Sequence, residues 1–178
     1  MARVLLCYGS SEGQTAVIAN HIADQLEAAG HDPIVISTKR PPKNITPSNY
    51  DGIVVGIGIH LGTHSRHAES FVRSHVAVLN RRQSALFSTE LAATKPVSEA
   101  RLEADDHVEA FLEVTGWEPD LTHVVVGTLK YREYGLLKRF VRRHIGSDAE
   151  IDTLRDRGHV DWREIDAFVE SFEELLAC

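Results

Sequence analysis

Short apolar runs alternate along this chain with segments whose apolar positions recur at helical spacing. Residues 2–8, ARVLLCY, predict a buried strand. Residues 14–29 place Val17, Ile18, His21, Ile22, Gln25 and Leu26 on one stripe, which predicts a helix that Gly30 stops. DPIVIST (32–38) predicts a second strand, and the proline-rich RPPKNITPSNY a loop. DGIVVGIGI (51–59) predicts a third strand, apolar on both faces as a central parallel strand is. A helix over 67–79 and a fourth strand over 84–90 follow. LAATKPVSEARLE then reads as a loop running into a helix near 103–115, stopped by Gly116. A fifth strand is expected over 121–130, and a last helix over 161–177 with Asp161 as N-cap and Glu164 as its capping-box partner.

Strands alternating with helices, with connections long enough for crossovers, predict an α/β fold: a doubly wound sheet of five parallel strands with helices on both faces. No repeat, low-complexity tract or linker divides the pattern, so residues 1–178 are expected to form one domain with a sizeable core. The net charge of −7 gives no overall field that favours nucleic acid, and no nucleic-acid partner is expected. Cys7 and Cys178 form no C-x-x-C pair, which leaves no zinc or disulfide framework and points to a reducing compartment. The opening residues lack a secretory-signal pattern. No apolar run approaches the ~18 residues of a membrane span. A cytoplasmic location is the expectation.

Candidate chemistry begins at GSSEGQT, residues 9–15, directly after the first strand. In a doubly wound sheet, ligands bind beyond the carboxyl ends of the strands at the topological switch point. The last residues of this turn open the first helix, whose free N–H groups and dipole favour an anion. Ser10, Ser11 and Thr15 add hydroxyls, and Gly13 lets the backbone turn tightly. Glu12 is expected to point to water. Gln14 stands where a Walker A loop carries lysine, so triphosphate chemistry is disfavoured and one terminal phosphate suits the turn. A serine-capped helix start without a ligand is the alternative.

A second glycine-rich stretch, GIGIHLGTH (56–64), follows the third strand. Its spacing is G-x-G-x-x-x-G after strand three, which does not fit the nicotinamide-dinucleotide fingerprint. Either its glycines let the strand leave the sheet, or the loop offers backbone groups to a flat ligand. STEL, at the end of strand four, completes a cleft of three adjacent loops.

GSSEGQT, YDGIVVGIGIHLGTHSRHAESFV, ALFSTELAATKP, GTLKYREY and the closing DW helix resemble the flavodoxin-fold, menaquinone-dependent protoporphyrinogen oxidase (dehydrogenase) family over nearly the whole chain. The resemblance implies a flavodoxin-like sheet of order 2-1-3-4-5 and a basic helical insertion after strand five. It implies FMN as cofactor, with Ser10, Ser11, Glu12, Gly13, Gln14 and Thr15 at its phosphate. Gly58, Ile59, His60, Leu61, Gly62 and Thr63, with Ser88, Thr89, Glu90, Leu91 and Ala92, would flank the isoalloxazine. Flavin N5 would carry the chemistry, with no catalytic side chain, and a backbone group near Gly58 or Gly62 could bond to it. The substrate implied is protoporphyrinogen IX, oxidised in successive two-electron steps in haem biosynthesis, with menaquinone or another quinone as acceptor. The chain departs from relatives that carry an aromatic near Leu61.

Residues 130–144, KYREYGLLKRFVRRH, hold six basic residues and one acidic one, a local charge of +5 in a chain of net −7. Leu136, Leu137, Phe140, Val141 and Ile145 project to one half of a helix, and Lys138, Arg139, Arg142 and Arg143 to the other. Such a helix packs its apolar half on the domain, or it touches an anionic membrane at the inner face of the cell, or it attracts the propionates of a porphyrinogen. Tyr131, Arg132 and Tyr134 lie nearest the strand end and are the candidate substrate contacts. His60, His64 and His67 cluster without a ligand set at a recognised spacing, so no metal site is assigned. No G-x-S-x-G elbow and no acidic pair after strand one are present, which disfavours hydrolase and phospho-receiver chemistry. Two alternatives stay open beside the enzyme: a flavodoxin-type electron carrier without a substrate of its own, and a flavin-free interaction module. The oligomeric state is not legible.

Overall fold

A computed structural model describes residues 1–9, 13–60, 62–90, 96–127 and 160–177. Five parallel strands form its sheet: β1 (Arg3–Gly9), β2 (Asp32–Ser37), β3 (Gly52–His60), β5 (Gln83–Glu90) and β6 (Leu121–Val126). They lie in the order β2-β1-β3-β5-β6, which is the predicted order by position. The sheet has a sixth member that the sequence reading lacked. This is β4 (Thr63–His64), which pairs antiparallel with the end of β3. Two residues are too short to leave a periodic signal.

The apolar runs become central strands because both of their faces are covered. Val4 and Leu6 of β1, Val54 of β3 and Ala85 and Phe87 of β5 pack under α1 (Gln14–Ala28) and α4 (Trp162–Leu176). The alternate positions Leu5, Cys7, Ile53, Val55 and Leu86 pack under α2 (Arg66–Leu79) and α3 (Val97–Thr115). Burial of Cys7 pushes its thiol far above the ordinary range, so the residue behaves as a small core hydrophobe. β2 is an edge strand, where Pro33 is tolerated.

Two expectations shift. α3 begins at Val97, well before the expected start near 103. Its inner stripe there is Ala100 and Ala104, continued by Val108 and Phe111, and the small residues conceal the period. Asp161 does cap α4, but through the N–H of Arg163, at 3.0 Å. Glu164 does not close the expected box. One guanidinium nitrogen of Arg101 in α3 donates to both of its carboxylate oxygens, at 3.1 and 2.9 Å. The described part of the last parallel strand ends at Val126, and residues 128–130 lie outside the described residues.

Candidate functional site

Strand order reverses between β1, which has β2 on one side, and β3, which leads to β5 on the other. The switch point therefore lies at the carboxyl ends of β1 and β3. α1 opens there. Gly13 precedes it with φ of +75°, a left-handed conformation that suits glycine. The N-cap glycine has no side chain to offer, none of the described residues caps this end, and the first turn of the helix holds no acid. The first N–H groups of a helix have no partner within it, and with the positive end of the dipole behind them they favour an anion.

Gln14 and Thr15 turn inward. Gln14 Nε2 donates to the carbonyl of Gly127, just past β6, at 2.9 Å. The Thr15 hydroxyl, with no solvent exposure, lies 2.7 Å from the hydroxyl of Thr89 in β5. Gly127 N–H donates to the Glu90 carbonyl at 3.1 Å, so the end of β6 is tied to β5 in turn. The start of α1 is bolted to two neighbouring strands. The backbone, rather than these two side chains, is what it presents outward.

The second loop is a hairpin. Ile59 pairs with His64 and His60 with Thr63, and Gly62 sits in the turn with φ of +72°. His60, Gly62 and Thr63 are exposed, Gly58 is half-buried, and Ile59 is buried. Gly56 belongs to the core. A β-carbon there would lie 2.2 Å from Cζ of Phe87, whose ring crosses over it. Ser88 is fully buried, and its hydroxyl has no hydrogen-bond partner among the described residues. Glu90, at the end of β5, lies 3.2 Å from Nδ1 of His107 in α3.

Of the predicted site residues, Gly13, Gln14, Thr15, Thr89 and Glu90 come together around the ends of β1, β5 and β6. Gly62 meets α3 at His107. Ile59 and Ser88 point into the protein. Ser10, Ser11, Glu12, Leu61, Leu91, Ala92, Tyr131, Arg132, Tyr134, Lys138, Arg139, Arg142 and Arg143 lie outside the described residues, and so does the basic insertion. Sequence reasoning passed over Gly127 and His107. A glycine inside the strand expected over 121–130 was a usable signal that the strand ends there, whereas His107 gave none. The three clustered histidines diverge. His64 binds Glu69 at 2.9 Å, and His67 is exposed. Among the described residues, no three His, Cys, Asp or Glu side chains meet as a metal-ligand set. None of the described helices is long and apolar enough to cross a membrane.

The open doubly wound sheet, with a left-handed glycine opening α1 and a glycine hairpin at its switch point, defines an α/β protein with the kind of crevice in which such folds hold anionic ligands. The chain belongs to the flavodoxin domain family, whose model matches residues 5–156. It is similar to the protoporphyrinogen IX dehydrogenase (quinone) of Escherichia coli (strain K12), with 29% identity over 175 residues that cover 97% of this chain and 96% of that one. A protein of the same name from Leishmania major is 25% identical over 97% of this chain and 75% of its own length. Among solved structures, oxidised flavodoxin 1 from Bacillus cereus superposes with a TM-score of 0.55 at 20% identity, covering 78% of this chain and 93% of that one.

Proposed function

We propose that this chain is an FMN-dependent dehydrogenase that oxidises protoporphyrinogen IX and passes the electrons to a quinone. The observation that carries the cofactor reading is the start of α1, with its left-handed Gly13, no cap from any of the described side chains and no acid in the first turn. That end suits a single terminal phosphate, held by backbone N–H groups without a lysine. Gln14 and Thr15 serve by locking the helix end to Gly127 and Thr89 rather than by reaching the anion. Ser10 and Ser11 belong to this subsite by sequence. Gly58, His60, Gly62 and Thr63 from the hairpin, with Thr89 and Glu90 from β5, would flank the ring. Bound FMN supplies the acceptance and return of electron pairs, while the protein orients it and excludes water.

The likeness to dehydrogenases of that name over nearly the full chain supports the porphyrinogen substrate and the quinone. The basic stretch 130–144 is the proposed attractor of anionic carboxylates or of lipid. We take residues 1–178 as one domain. The fold shared with flavodoxin 1 favours one competing reading, an electron carrier without a substrate of its own. One assay separates the two: anaerobic oxidation of protoporphyrinogen IX by the FMN-loaded protein, with and without a menaquinone analogue. Quinone-dependent porphyrin fluorescence is the expected result. FMN binding without it would leave the carrier. Failure to bind FMN would reject both.

A further inference from the structure

The hairpin turn between His60 and Thr63 is short and exposed, and a two-residue strand such as β4 frays unless something holds it. Helix α3 packs beside it at two points. His107 comes so close to Gly62 that a β-carbon on Gly62 would lie 3.3 Å from Nε2 of the imidazole. One helical turn on, the Phe111 ring meets the His64 ring edge-on, with centroids 5.0 Å apart. Residues 107 and 111 are four apart and share one face of the helix.

His107 is itself held in place. Its Nδ1 lies 3.2 Å from Oε2 of Glu90, a carboxylate whose side chain is only 13% exposed. That bond orients the ring and leaves the second nitrogen facing Gly62. His64 is likewise held, by Glu69 at 2.9 Å, and Glu69 also pairs with Arg73 at 3.3 Å. Glu90 is the last residue of β5. One imidazole thus stands between the turn and the adjacent parallel strand, bonded to Glu90 of that strand and packed beside Gly62.

We propose that His107, oriented by Glu90, is the positioning residue that fixes the hairpin turn at Gly62. The inference rests on the reading that this turn flanks the flavin ring. A turn already fixed before binding does not have to be ordered when the ligand arrives, and that saving appears as affinity. Gly62 is glycine on two counts: its φ is positive, and the imidazole occupies the space beside it.

The experiment compares wild type with His107→Ala, His107→Asn and His107→Gln. It has two readouts: amide hydrogen exchange at Gly62 and Thr63 in the FMN-free protein, and FMN affinity by flavin fluorescence. In His107→Ala, exchange at these two amides should rise about tenfold, and the Kd for FMN should weaken by about tenfold. Protection in β1 and α1 should stay at the wild-type level, which shows that the chain is folded. Gln places its amide near the position of Nε2 and should recover much of both. Asn reaches only the position of Nδ1, keeps the contact with Glu90, and should not. Glu90→Ala, which frees the ring without altering α3, should raise exchange at Gly62 and Thr63 as His107→Ala does; because Glu90 is itself placed beside the flavin, only its exchange in the FMN-free protein is read. It carries the test if the His107 variants do not fold.

Unchanged exchange and unchanged FMN affinity in a folded His107→Ala protein would overturn the proposal. So would faster exchange with unchanged affinity, because the turn would then be braced to no purpose for the ligand. If wild type binds no FMN yet exchange responds as expected, the brace stands and the flavin reading falls.

Discussion

Replacing Gly56 by alanine tests whether the glycine-rich stretch 56–64 is one functional loop or two different things. Gly56 stands opposite Phe87 in the parallel register of β3 and β5. The Phe87 side chain folds across the neighbouring strand. A β-carbon at Gly56 would lie 2.2 Å from Cζ and 2.7 and 2.8 Å from the two Cε atoms. The ring would have to recede by about 1.2 Å to reach ordinary contact. It is 1% exposed and packed edge-on to Phe168 of α4 at 6.4 Å, in an interior with no room to yield. Overpacking of this kind costs about 1–3 kcal/mol, and a clash with a substituent fixed to a central strand belongs at the upper end. With a urea m-value of ~2 kcal/mol/M, the midpoint of Gly56→Ala should fall by about 1–1.5 M. In a Phe87→Leu background the same change should cost less than ~1 kcal/mol, because the shorter side chain vacates the space. A loss below ~0.5 kcal/mol in the single variant, or additivity within ~0.5 kcal/mol in the double, would refute the reasoning. The folded fraction of Gly56→Ala should bind FMN as wild type does, since the residue faces the core and not the crevice.

Two further changes address the rest of the molecule. Burial lowers the pKa of His123 from its ordinary 6.5, with Glu164 opposing the shift and Arg101 adding to it. The folded state then binds fewer protons than the unfolded one below that pH, so stability is full above about 6.5 and declines as the pH falls further. His123→Phe should flatten this decline in urea unfolding between pH 7 and 5, leaving the part due to His75, whose pKa burial also lowers; an unchanged slope would count against it. Charge reversal at Arg142 and Arg143 together should weaken flotation with anionic vesicles or turnover of protoporphyrinogen IX, and behaviour equal to wild type in both assays would leave this basic stretch without a binding role.

The fold was legible because its signals are local and strong. The continuous apolar runs at β1 and β3 and the stripe of α1 demand burial on both faces of a strand and one face of a helix. The misses have equally physical causes. α3 hides its first turns because Ala100 and Ala104 pack closely without looking apolar. Glu164 matched the spacing of a capping box, but Arg101 from another helix offered its carboxylate a charged donor, and tertiary contact overrode local pattern. β4 is held by pairing and by α3, neither of which leaves a trace in two residues.

The crevice was half legible, and the division follows sequence separation. Which backbone turns at the sheet edge is a local matter, and GSSEGQT and GIGIHLG announced it. What holds those turns is not local. Thr15 bonds to Thr89 across 74 residues, and Gln14 reaches Gly127 across 113. Gln14 shows how much changes between the two views. In the sequence it is the missing lysine of a triphosphate loop. In the structure it is 4% exposed and directed at a carbonyl of the β6 end. A lysine there would bury its ammonium against one carbonyl, at a cost of several kcal/mol, unless it swung out and released that strand end. The neutral amide is therefore a requirement of how α1 is anchored, and the lack of a fixed positive charge at the start of α1 follows from packing as much as from the ligand proposed for it.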